Sequence, residues 1–104
     1  MAQMIVIYKT PRNPGAFDRH YLEAHVPLVR QLPGLRKLET NRGPVISLYG
    51  ASDVHLVASL QFDSLSDINA AFVSECGRAC AADRQQLAPH ANDVQMFLFD
   101  TQSL

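Results

Sequence analysis

The sequence has no tryptophan, only two cysteines and no long apolar run. A membrane-crossing helix needs about 20 consecutive apolar residues, and the longest candidate, Met4-Ile5-Val6-Ile7-Tyr8, is far shorter. The first nine residues lack the positive start of a secretory signal, so a cytoplasmic protein that spans no membrane is expected. A basic excess is also missing. Nine Lys and Arg stand against ten Asp and Glu, a net charge of −1, which argues against nucleic acid as the main partner. Cys76 and Cys80 stand four positions apart in an expected helix, where a disulfide is geometrically poor. No histidine lies at zinc-finger spacing, and His20, His25, His55 and His90 contain no His-x3-His pair, so no metal site is expected. Glycine-rich phosphate loops and the nucleophile phrase Gly-x-Ser-x-Gly are absent as well. No cofactor is therefore expected.

What remains is a chain of 104 residues, the length of one domain. Its 47% apolar content lies well away from disorder, and its 18% charged content is below the usual ~25%. Low charge and high apolar content in so small a chain point to association with another copy.

Residues 3–9 read as a strand that is apolar on both faces. Thr10 to Gly15 form a loop, with Asn13 as N-cap and Pro14 in the first helical position. From Phe17 the spacing is helical. At 100° per residue, Phe17, Tyr21, Ala24, His25, Leu28 and Leu32 fall within about 100° of one another. Pro27 predicts strain or a kink in that helix, and Pro33-Gly34 ends it. Residues 35–41 form a weaker strand, and 42–52 a loop in which 45–49 offer a short strand or lid. Residues 54–62 alternate as a strand. Ser64 opens a short helix to Phe72 with a capping-box look, and Ser74 caps a second helix ending near Ala88. Residues 94–99 form a last strand, again apolar on both faces.

The order β-α-β-β-α-β is the ferredoxin-like α+β plan, in which helices cover one face of a four-stranded antiparallel sheet. The uncovered face is apolar here on its first and last strands. Pairing of two copies through that face is the economical way to bury it.

One stretch of the first helix is distinctive: Phe17-Asp18-Arg19-His20-Tyr21-Leu22-Glu23-Ala24-His25-Val26-Pro27-Leu28, then Leu32-Pro33-Gly34-Leu35. It resembles the EthD family, named for ethyl tert-butyl ether degradation, within the dimeric α+β-barrel superfamily. A second similar stretch runs Phe72-Val73-Ser74-Glu75-Cys76-Gly77-Arg78 with a later Asp83, departing from the family wording around Cys76. The resemblance covers nearly the whole chain. It implies a homodimer in which two sheets close into a barrel, with a pocket in each subunit between sheet and helices. Members of the superfamily include isomerases, polyketide cyclases, cofactor-independent monooxygenases and haem-degrading enzymes, and fold alone does not choose among them.

His25 is the first candidate for chemistry. An imidazole moves protons at neutral pH, and in similar lactone isomerases and cyclases a histidine at this helical place acts as acid or base. The plainer reading is a histidine that ties the helix to the sheet ahead of Pro27. Tyr21 shares the face of His25 and would bind substrate through its hydroxyl, or simply pack. Tyr49 and His55, in and beside the middle loop, are candidates for a pocket mouth. The resemblance adds Asp83, which as a mid-helix carboxylate could equally pair with Arg78 or stay solvated. His20 falls on the flank and reads as rim; His90 reads as a turn residue. The expected function is a cofactor-free enzyme of isomerase, cyclase or monooxygenase type acting on a small apolar organic molecule. The alternative is a non-catalytic protein that holds such a metabolite beside a partner oxygenase.

Overall fold

A computed structural model covers residues 1–104. Four strands, β1 (Ala2–Lys9), β2 (Lys37–Thr40), β3 (Val54–Phe62) and β4 (Val94–Asp100), form one sheet in the order β2-β3-β1-β4. All three pairings are antiparallel, giving the ferredoxin-like α+β arrangement that the element order predicts.

The first helical segment is continuous from Pro14 to Val29 but changes geometry along the way. It begins as α1 (Pro14–His20), widens into a π turn over Tyr21–His25 and resumes as α2 (Val26–Val29). The Asn13 side chain accepts from Ala16 N at 3.1 Å and Pro14 takes the first helical position, as the sequence suggests. The strain expected at Pro27 takes the form of this π turn. Proline offers no N–H and its ring crowds the carbonyl four residues back; a turn closed between residues five apart gives that carbonyl room. Val26 N accordingly bonds to Tyr21 O. After Leu32, the backbone turns at Gly34 with φ +80°, a conformation that favours glycine.

The weaker second strand is shorter than expected. β2 stops at Thr40. Asn41 N still donates to Val57 O at 3.3 Å, but the return bond goes to the side chain: Asn41 Oδ1 accepts from Val57 N at 2.9 Å, and Nδ2 donates to Gly43 O at 2.7 Å. Residues 45–49 form no strand. The second helical region is two helices, α3 (Leu65–Val73) and α4 (Glu75–Leu87), separated by extended Ser74. Ser64 Oγ accepts from Asp67 N and Ser74 Oγ from Gly77 N, each at 3.1 Å. Gly77 is the residue that lets α4 start so close to α3, since a Cβ there would strike Ala71 O and Phe72 Cα.

Strand register assigns each face. Ala2, Met4, Val6 and Tyr8 of β1 turn to the helices together with Leu56, Ala58, Leu60 and Phe62 of β3. They form the core with Phe17, Tyr21, Val29, Leu32, Ile68 and Ala71. The opposite face has no helix over it. Ile5 and Ile7 stand there beside Val57, and Phe97 and Phe99 of β4 lie opposite Ile5 and Gln3. Phe97 and Phe99 are 49% and 42% exposed.

Candidate active site

The π turn decides which side chains meet. Tyr21 and His25 share a face as their spacing predicts, with ring centroids 5.2 Å apart. His20 and His25, five positions apart, would point about 140° away from each other on an α-helix. In a π turn residues five apart lie nearly over one another. Both histidines consequently reach one acid: Asp83 of α4 takes His25 Nδ1 on one carboxylate oxygen at 2.9 Å and His20 Nε2 on the other at 2.8 Å.

This arrangement fixes protonation. An ionised carboxylate only accepts, so His25 carries its hydrogen on Nδ1 and leaves Nε2 free as a base. Nε2 has no partner within the chain, and no buried side-chain nitrogen or oxygen is left unpaired, so Nε2 borders open space. Burial drives the His25 pKa below its ordinary value, and the hydrogen bond and charge of Asp83 only partly oppose that. The imidazole is neutral at pH 7. For Asp83, burial works toward the neutral acid, but hydrogen bonds from His20 and His25 together outweigh it and hold the pKa below the usual carboxylate range. A buried, neutral, singly protonated imidazole oriented by a carboxylate is the equipment of a general base.

His25 lines a cavity of about 130 Å³ between the sheet and the helices. Eleven of its thirteen lining residues are hydrophobic, two tyrosines among them. An engineered apolar cavity of ~150 Å³ admits benzene, so the cavity takes one ring of a ligand, and the rest extends toward its rim. Met96 of β4, half exposed at the edge of the helical layer, stands at its rim. Three polar groups besides His25 line it: Tyr8, Tyr21 and Arg84. Burial raises the Tyr8 pKa strongly and that of Tyr21 to about 12, so both phenols stay protonated and can donate. Neither hydroxyl has a partner within the chain, and both touch open space. Tyr8, Phe17 and Tyr21 hold one another edge-on or stacked at 5.2–6.1 Å, which fixes the Tyr21 ring beside His25.

Among the residues singled out from the sequence, Tyr21, His25 and Asp83 come together. Tyr49 and His55 do not join them. Tyr49 is 98% exposed in the loop between β2 and β3 and does not line this cavity. His55 pairs with Asp18 at 2.7 Å and lies edge-on to Phe17, bracing the start of the first helix on the sheet. Asp83 pairs with two histidines and not with Arg78. Two candidate residues, Tyr8 and Arg84, go unmarked in the sequence, and a third, His20, reads only as rim. His20 is out of phase for an α-helix, Tyr8 reads as one more apolar position of the first strand, and Arg84 has no motif to mark it. Cys80 lines the cavity as a buried neutral thiol, its pKa raised by burial to about 12, and Cys76 gives its thiol to Leu28 O at 3.3 Å. Neither cysteine is in a disulfide.

The EthD domain family matches residues 9–90, which hold every one of these groups except Tyr8. The chain belongs to the EthD family. An uncharacterised 11.0 kDa protein encoded in the thcB–thcC intergenic region of Rhodococcus erythropolis is 33% identical over 105 residues, covering 100% of this chain and 98% of that protein. A crystal structure of an EthD family protein from Bacillus halodurans superimposes with a TM-score of 0.87 at 28% identity, over 98% of this chain and 99% of that one. SnoaB, a cofactor-independent oxygenase from Streptomyces nogalater, shares the fold at 12% identity and a TM-score of 0.70, over 99% of this chain and 94% of that one. Further proteins similar in fold are described as dimeric ferredoxin-like proteins.

Proposed function

We propose that this EthD protein is a cofactor-free enzyme that removes a proton from a small, largely apolar organic molecule, with His25 as the base. The observation that carries the proposal is the Asp83–His25 pair at 2.9 Å, which leaves Nε2 without a partner in the chain, on a residue that lines a largely apolar cavity. His25 Nε2 takes the proton, and the Asp83 carboxylate stabilises the imidazolium that forms. Tyr8, Tyr21 and the Arg84 guanidinium stabilise the oxyanion left on the substrate. Removing a proton beside a carbonyl or from a phenol leads to isomerisation by return of the proton to another atom, to cyclisation by attack on a second carbonyl, or to reaction with oxygen. The last outcome has a parallel in the fold of SnoaB, a cofactor-independent oxygenase.

The whole chain acts as one cytoplasmic domain in this reading, and its copies pair through the bare sheet face. Ile5, Ile7, Val57, Phe97 and Phe99 make that face apolar at its centre, and a strip of this kind is unfavourable in water. Pairing there leaves the helical side and its cavity open to substrate.

The test is solvent proton exchange. In D2O the protein should speed deuterium uptake into the benzylic positions of 2-indanone, a compact apolar ketone, and His25→Gln should abolish the acceleration. Binding of 2-indanone with pH-independent affinity, unchanged in His25→Gln and without exchange, would instead establish a metabolite-holding role.

A further inference from the structure

A second concavity lies on the helical side, between the start of α1 and the end of α4, with a volume of about 710 Å³. It shares with the inner cavity only the wall residue Tyr8. Its chemistry is different. Lys9, Arg12, His20 and His90 line it, against the single acid Asp93. Lys9, Arg12 and His90 form no ion pair within the chain, in a protein whose overall charge is −1. Phe17, Leu87 and Ala88 add apolar surface to its lining.

These features specify a ligand. The formal balance of Lys9 and Arg12 over Asp93 is one positive charge, which matches a monoanion and not a polyphosphate. The volume lies in the range of small-molecule sites, ~300–1,000 Å³, and the apolar surface favours a hydrocarbon body over an inorganic ion. The ligand would also communicate with the inner cavity. His20 is 35% exposed, and it bonds the Asp83 oxygen opposite the one that holds His25. Charge placed beside His20 changes how the Asp83 charge is shared between the two rings.

We propose that the outer cleft is a second binding site, for a small organic carboxylate, and that the His20–Asp83–His25 chain couples it to the inner cavity. The carboxylate meets Lys9 and Arg12, and the body rests on Phe17 and Leu87. The proposal stands on the cleft itself and holds whether or not His25 catalyses a reaction.

The experiment is NMR of the full chain with histidine ring signals assigned, titrated at constant pH with benzoate and, separately, with neutral benzyl alcohol. Benzoate should shift the His20 and His90 signals saturably, and benzyl alcohol should bind at least tenfold more weakly. Lys9→Gln/Arg12→Gln, both changes lying on exposed residues, should weaken benzoate at least tenfold. The His25 signals should move with benzoate in the native protein and stay still in His20→Ala, while His90 still responds. Equal binding of benzyl alcohol, or no saturation by about 10 mM benzoate, would overturn the site. A His25 shift that persists in His20→Ala would overturn the coupling.

Discussion

Asp83 holds His25 at 2.9 Å across 58 positions of sequence, and the pair joins the π turn of the first helix to the middle of α4. Everything proposed about the inner cavity depends on that contact. Asp83→Asn removes the charge while keeping the shape. The imidazole should lose its fixed Nδ1–H tautomer, and fold stability should fall by about 1–3 kcal/mol as hydrogen bonds to a charged group are lost. Ring 15N shifts report the tautomer, and urea denaturation reports stability.

Acid should destabilise the protein through the same pair. The folded-state pKa of His25 lies below its unfolded value of 6.5. Between those two values the unfolded chain binds more protons, so stability rises with pH there. The contribution is complete above the unfolded pKa and is lost as pH falls from about 6.5 through the folded value. Asp83, also depressed, adds a loss in the same direction at lower pH, beginning below its ordinary 3.8. Urea midpoints measured from pH 8 to pH 5 should decline more steeply for the native protein than for His25→Gln. Parallel curves would remove His25 as the cause.

The reading of these residues from sequence succeeded where local periodicity governs. The alternation of 54–62 gives β3 with its bounds intact, and Tyr21 and His25 share a face because four positions nearly complete a turn in either helix type. It failed where the backbone departs from the α period. By 100° steps His20 falls on the flank, and the π turn before Pro27 brings it onto Asp83. Asp83 was accessible only through the family resemblance, since nothing in its own surroundings marks a partner so distant in the chain. Tyr49 illustrates the converse: a polar aromatic in a loop suggests a pocket mouth, yet its position depends on loop packing that no local pattern encodes.

Gly77 is a packing constraint with a consequence for the site. A methyl group there would meet the backbone of Ala71 and Phe72, which cannot rotate away. Gly77→Ala should force α4 from α3, shift Asp83, and cost about 1–3 kcal/mol or more. Circular dichroism melts of this variant beside Cys76→Ala, which removes only a thiol contact, separate backbone collision from a general intolerance of α4.

The bare sheet face yields a prediction about assembly. Phe97 lies directly opposite Ile5 at its centre and is 49% exposed in the single chain. The native protein should sediment as a dimer and Phe97→Glu as a folded monomer, because burying an unpaired carboxylate against a second copy is costly. A native monomer at micromolar concentration would contradict the pairing.

The central claim is that His25, neutral and oriented by Asp83, takes a proton from a molecule in the apolar cavity. Deuterium uptake by 2-indanone in D2O, followed by NMR, measures that act without knowledge of the natural substrate. The account predicts exchange at least ~10²-fold faster with the native protein than with His25→Gln, the range that a positioned base contributes. Equal exchange rates in the two proteins would contradict it.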